Sequence, residues 1–129
     1  MQAVSSHMSR NLVTVAAELR LAEAAKRMAA RSVGAVLVFD GERLVGILTE
    51  RDILKAVAAE ATGEALVGAW MTRHPDTIES SDSTDHAAAL MIHGGFRHLP
   101  VVEGGKTVGI LSIRDLMRVA LDDKSPRGA

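Results

Sequence analysis

Cysteine is absent from the 129 residues, which excludes disulfides, thiolate nucleophiles and cysteine metal ligands together. Aromatic residues are nearly absent: Phe39, Trp70 and Phe96 account for the 2%. The core therefore has to come from Val, Leu, Ile, Met and Ala, which suits helices packed closely on a small sheet. No sign of charge dominates, since the net charge is −1 and no run of Lys and Arg occurs. That gives no electrostatic footprint for nucleic acid or an anionic membrane. No apolar run approaches the roughly 20 residues that cross a bilayer. The opening MQAVSSHMSRNL lacks the apolar stretch of a signal peptide. A soluble cytoplasmic protein is the expectation, with flexible ends at residues 1–7 and 122–129.

What the chain does have is an internal duplication. Shifted by 63 positions, its two halves align without a gap. Met8 falls on Met71, Arg10 on Arg73, Thr14 on Thr77, Ala24, Ala25 and Met28 on Ala87, Ala88 and Met91, and Gly41 on Gly104. The densest agreement sets GILTERD, from Gly46, against GILSIRD, from Gly109. Between Met8 and Lys55, 14 of 48 aligned pairs are identical. The organisation expected is one repeat at 8–60, a linker at 61–70 and a second repeat at 71–121.

Each repeat reads as β-α-β-β-α. A short extended piece (Val13–Val15, Thr77–Ile78) precedes an Ala-rich helix with apolar residues at helical spacing (Leu21–Arg31, Thr84–His93). Ser83 is a competent N-cap for the second of these helices, and Arg20 is not one for the first. Gly94 and Gly95 supply a helix stop. A hairpin follows, Val36–Phe39 with Leu44–Leu48 or Leu99–Val102 with Val108–Leu111, turning through Asp40 and Gly41 or through Glu103, Gly104 and Gly105. A closing helix covers Glu50–Ala59 or Ile113–Leu121, and a short helical turn is expected in the linker around Glu64–Ala69. One such unit is too small to stand alone, so the fold expected is α/β of the α+β kind. Its two repeats should pack sheet to sheet about a pseudo-twofold axis.

Several signals lead nowhere. Gly105-Lys106-Thr107 looks like the end of a phosphate-binding P-loop, but the required earlier glycine is Pro100 and a strand follows instead of a helix. His7, His74, His86, His93 and His98 have no second ligand at metal spacing, so no metal site is expected. His86 and His93 would lie about 10 Å apart along one helix. No nucleophile-base pairing is visible, so no catalytic residues are assigned and the chain is not read as an enzyme.

The β-α-β-β-α order, the duplication, and the ending Gly-hydrophobic-hydrophobic-Thr/Ser-x-x-Asp in both halves resemble the CBS-domain family. FRHLPVVEGGKTVGILSIRDL, Phe96 to Leu116, is similar to the second repeat of small bacterial two-repeat members. The resemblance implies a stand-alone CBS pair, or Bateman module, regulatory in role. Such pairs typically bind AMP, ADP or ATP, sometimes NAD or S-adenosylmethionine, in related clefts, and commonly form homodimers or act on a partner protein. It leaves open which nucleotide binds and whether Mg²⁺ accompanies it.

The resemblance places ribose binding at Thr49 and Asp52, and at Ser112 and Asp115. An ionised Asp can accept hydrogen bonds from both vicinal hydroxyls of a ribose, and the helix start beyond it offers amides to a phosphate. The same Thr-x-x-Asp at a helix start is also a capping box, which needs no ligand. Arg51 and Arg114 are within reach of phosphate or are simply solvated. Arg97 and His98 align with Gly34 and Ala35, and the resemblance puts them toward phosphate; a hydrogen-bonded strand role is the other reading of His98. The asymmetry predicts unequal sites. Thr14, Val15, Thr77 and Ile78 lie on the short first strands, which in the family line the adenine pocket, or are ordinary strand residues. Gly46 and Gly109 would let another backbone or a ligand come close. The function expected is adenine-nucleotide sensing, with a dimerising or docking scaffold as the alternative.

Overall fold

A computed structural model describes residues 2–124, with side chains to Asp122. The chain divides into two compact units, residues 12–75 and residues 2–11 with 76–124.

The unit of residues 12–75 contains β1 (Thr14–Val15), α1 (Leu21–Arg31), β2 (Ala35–Asp40), β3 (Arg43–Thr49), α2 (Glu50–Ala58), α3 (Val67–Trp70) and β4 (Thr72–Arg73). Its sheet order is β1-β2-β3-β4, with β1 parallel to β2 and the other neighbours antiparallel. β2 is buried from Ala35 to Val38, as its unbroken apolar run requires. Helix α1 turns Leu21, Ala24 and Met28 inward, and these join Val36, Val38, Leu48 and Val67 in one core. Arg20 makes no side-chain cap, as its chemistry dictates. The helix ends on Ser32 in the left-handed region, φ 53°.

The unit of residues 2–11 and 76–124 contains β5 (Ile78–Glu79), α4 (Thr84–Gly94), β6 (His98–Glu103), β7 (Lys106–Ser112) and α5 (Ile113–Lys124), in sheet order β5-β6-β7. Ser83 caps α4, its Oγ accepting from the His86 amide at 3.1 Å, and Gly95 at φ 71° ends it. The β6–β7 loop is Gly104-Gly105, with φ 59° and 80°; two successive positive φ values are what a twist-matched two-residue hairpin needs. Both hairpins carry the same irregularity, between Val38 and Phe39 and between Val101 and Val102. Together the units form an α+β structure with two sheets and five α-helices among the described residues. No helix of those residues is long and apolar enough to cross a membrane.

The expected boundaries need correcting at three places. In place of a flexible end at residues 1–7, Val4–Ser6 forms a 3₁₀ turn with Val4 fully buried. This turn is tied by Val4 N–H to Asp82 O at 2.8 Å and Ser5 N–H to Ser80 O at 2.9 Å, and the Thr84 amide donates to Gln2 O at 2.9 Å. Ser9 and Ile110 then exchange two backbone hydrogen bonds of 2.9 Å, extending the sheet at β7. The linker contains the equivalent segment. Val67 N–H donates to Leu19 O, Gly68 N–H to Ala17 O and Leu21 N–H to Ala65 O, and β4 pairs with β3. So the segment ahead of each repeat completes the other repeat's unit. Third, α5 continues beyond Leu121 to Lys124; the rest of the expected tail lies outside the described residues.

Gly46 and Gly109 owe their identity to these segments. A Cβ on Gly46 would lie 2.6 Å from Met71 Sδ and 2.9 Å from Thr72 O; on Gly109 it would lie 2.6 Å from Met8 Sδ and 2.8 Å from Ser9 O. The close approach is by another backbone.

Candidate functional site

In both repeats the second hairpin strand runs directly into the closing helix, and the junction is a capping box. Thr49 N–H donates to Asp52 Oδ2 at 2.8 Å, Thr49 Oγ1 donates to the same oxygen at 3.1 Å, and the Asp52 amide donates back to Thr49 Oγ1 at 3.4 Å. Ser112 and Asp115 repeat this at 2.8, 3.0 and 3.2 Å. The acid locks its own backbone junction and is itself held in one pose. Asp52 is buried, 8% exposed. In each copy the cap engages Oδ2; Asp115 Oδ1 accepts from Arg118 at 3.2 Å.

The helix starts are less open to an anion than the sequence implied. The Glu50 amide donates to Gly34 O at 3.1 Å and the Ile113 amide to Arg97 O at 2.8 Å. With the amides of Asp52 and Asp115 taken by the caps, two of the first three N–H groups of each helix are already used. A phosphate at these junctions would have to be met mainly by side chains.

The register brings some candidates together and separates others. Ala35 pairs with Thr49 across β2–β3, and His98 pairs with Ser112 across β6–β7. Arg97, His98, Ser112, Arg114 and Asp115 thus share one end of the hairpin in residues 76–124, with Arg97 and Arg114 exposed and His98 half-buried. Thr49, Arg51 and Asp52 occupy the matching end in residues 12–75, where Gly34 and Ala35 stand for the Arg-His pair. Thr14 is opposite Leu37, two residues along β2 from Ala35, and is exposed; Thr77 just precedes β5 and is exposed. Val15 and Ile78 have side chains in the cores of their units, at 5% and 2% exposure. Arg118 was not foreseen: its signal was its place one helical turn after Asp115, where the first repeat has Lys55. Among the described residues no group of three or more His, Asp or Glu is placed to hold a metal ion.

A family model for the CBS domain matches residues 4–59 and 67–122. Its boundaries begin at Val4 and Val67, the buried residues of the two exchanged segments. An uncharacterized 17.7 kDa protein of Acidianus ambivalens is 39% identical over 121 residues, 92% of this chain and 73% of that protein. The CBS domain pair of protein MJ0100, solved with 5′-methylthioadenosine and S-adenosyl-L-methionine, superimposes with TM-score 0.89 at 28% identity, covering 96% of this chain and 99% of that one. A CBS domain protein from Pyrobaculum aerophilum, solved with AMP, gives TM-score 0.86 at 30% identity, covering 95% and 97%. By contrast the chain spans only 18% of a longer Arabidopsis thaliana CBS-domain relative.

Proposed function

Because this chain belongs to the CBS-domain family, we propose that it is a regulatory module that binds an adenine nucleotide or related adenosyl compound and catalyses nothing. The observation that carries this reading is the pair of pre-set carboxylates. Each of Asp52 and Asp115 is fixed by its cap through one oxygen at a strand-to-helix turn, so its position is paid before any ligand arrives. Capping and binding are compatible, because a carboxylate has about four acceptor positions and the cap takes only those of Oδ2. Thr49 and Ser112 orient the acids, Arg97, His98, Arg51 and Arg114 stand near enough in sequence and register to meet phosphate, and Thr14 and Thr77 are exposed beside the adjoining strand. The AMP and adenosyl ligands of the two superimposable structures support the same ligand class. A cytoplasmic location and a sensing role, in which the ligand favours one arrangement of a dimer or partner over another, complete the proposal.

A second reading has its own observation. Leu54 and Val57 on α2, and Met117 and Leu121 on α5, are 58–68% exposed. Leu54 and Met117 are equivalent positions, so each repeat shows an apolar helix face suited to a homodimer or a docked protein.

The experiment is isothermal titration with AMP, ADP, ATP, NAD and S-adenosylmethionine on the wild type, Asp52→Asn and Asp115→Asn. The Asn variants retain an acceptor for the cap and lose the charge. Micromolar binding weakened at least about tenfold, about 1.4 kcal/mol, in one or both variants supports the sensor. No heat with any ligand in folded protein refutes it and leaves the docking scaffold.

A further inference from the structure

We infer that the two strand-to-helix turns select by charge: the turn in residues 76–124 takes an adenosine compound bearing a 5′-phosphate, and the turn in residues 12–75 takes one whose 5′ substituent is uncharged. This rests on the nucleotide-binding reading above and assigns a ligand class to each copy of the site.

The backbone contribution is the same in both turns. Each closing helix begins with the same cap, and in each the first amide is consumed by a carbonyl of the preceding hairpin strand's approach, Gly34 or Arg97. Helix dipole and amide donors therefore cannot distinguish the ligands, and side chains must. Six equivalent positions lie beside the two caps in sequence and register. In residues 12–75 they are Gly34, Ala35, Glu50, Arg51, Asp52 and Lys55, two acids against two bases. In residues 76–124 they are Arg97, His98, Ile113, Arg114, Asp115 and Arg118, one acid against three bases even with His98 neutral.

The differences fall where an anion would notice them. Residue 98 is the cross-strand partner of the capping Ser112, as residue 35 is of Thr49. Ile113 and Glu50 are the first residues of their helices; Glu50 is an exposed acid, whereas Ile113 packs against the core of its unit and brings no charge. Arg118 also holds Asp115 Oδ1 at 3.2 Å, drawing a cation onto the acid itself. A phosphate dianion gains at the second turn from Arg donors that bond phosphate oxygens in pairs. At the first turn it meets Glu50 beside Arg51 and Lys55, with Gly34 in place of Arg97, whereas an adenosine without a phosphate loses nothing there.

The test uses the whole chain and two probes that share the adenosine and differ at the 5′ position, AMP and 5′-methylthioadenosine. Arg97→Gly with His98→Ala transplants the first repeat's residues into the second. Titration calorimetry should show AMP weakened at least about tenfold, about 1.4 kcal/mol, with 5′-methylthioadenosine held within about twofold, and a shallower salt dependence for AMP, as expected when charged contacts are removed. Independently, Glu50→Gln should tighten the weaker of the AMP binding events. Unchanged AMP affinity in the double variant, an equal loss for both ligands, or wild-type protein that binds 5′-methylthioadenosine but not AMP would overturn the charge assignment alone. Wild-type protein that binds neither probe would overturn this inference, and the nucleotide reading falls with it only if ADP, ATP, NAD and S-adenosylmethionine also give no heat.

Discussion

Replacing Val4 with Ala tests whether the first residues of the chain are part of a folded core. Val4 has no exposed surface and shares a core with Ile78, Ala87, Met91, Leu99, Val101 and Leu111. The substitution removes two carbons' worth of buried side chain, about 1.6 kcal/mol at about 0.8 kcal/mol each. The wall around it is only partly able to collapse. Val4 is pinned by its amide to Asp82 O and its neighbour's amide to Ser80 O, so a residual void of some 30–40 Å³ would add about 1 kcal/mol. The expected total is about 2–3 kcal/mol. With a urea m-value of about 2 kcal/mol/M, the unfolding midpoint should fall by roughly 1–1.5 M. Hydrogen exchange gives the location: amides of α4 and β6 should lose protection, while those of α1 and β2, in the other unit, keep theirs. Val67→Ala, the equivalent change, should reverse that pattern. A Val4→Ala unfolding free energy within about 0.5 kcal/mol of wild type, the range of an ordinary surface substitution, would refute the reasoning.

Two further outcomes follow from other contacts. Gly109→Ala must move Met8 Sδ and the less yielding Ser9 carbonyl, so it should cost about 1–3 kcal/mol; a calorimetric melting temperature equal to wild type would contradict this. The Asp82 carboxyl is held below its usual value of 3.8, first by the hydrogen bond to His86 (2.6 Å) and next by the Ser83 amide. A depressed acid stabilises the fold above its unfolded pKa and loses that contribution as pH falls through the folded one. The stability gap between wild type and Asp82→Asn should accordingly narrow as pH drops below 3.8, and a gap that widens on acidification would dismiss the pair.

The duplication made much of the fold legible. Two readings of one β-α-β-β-α pattern located the hairpins, and Ser83 marked the start of α4; the helix expected to stop at His93 before Gly94 and Gly95 takes in Gly94 and ends on Gly95. What escaped was too short to have a period. β4 has two residues, Thr72–Arg73, and the turn around Val4 has three, so neither alternation nor helical spacing exists to be seen. Their signal was the alignment itself, because Val4 falls on Val67 at the same shift that pairs Met8 with Met71. At the site the Thr/Ser-x-x-Asp pattern was visible, and the capping reading of it is present in full. Consumption of the leading helix amides by Gly34 O and Arg97 O was hidden, since it depends on where a non-adjacent carbonyl comes to rest.

The exchanged segments give the gene and the fold different seams. Cutting the coding sequence at its repeat boundary would yield two peptides, each carrying a clasp built for its sibling and lacking its own. Neither peptide could close its sheet edge unaided: β3 would go without Thr72–Arg73, and β7 without Ser9. Mixed, the halves should complement one another as split-protein fragments do.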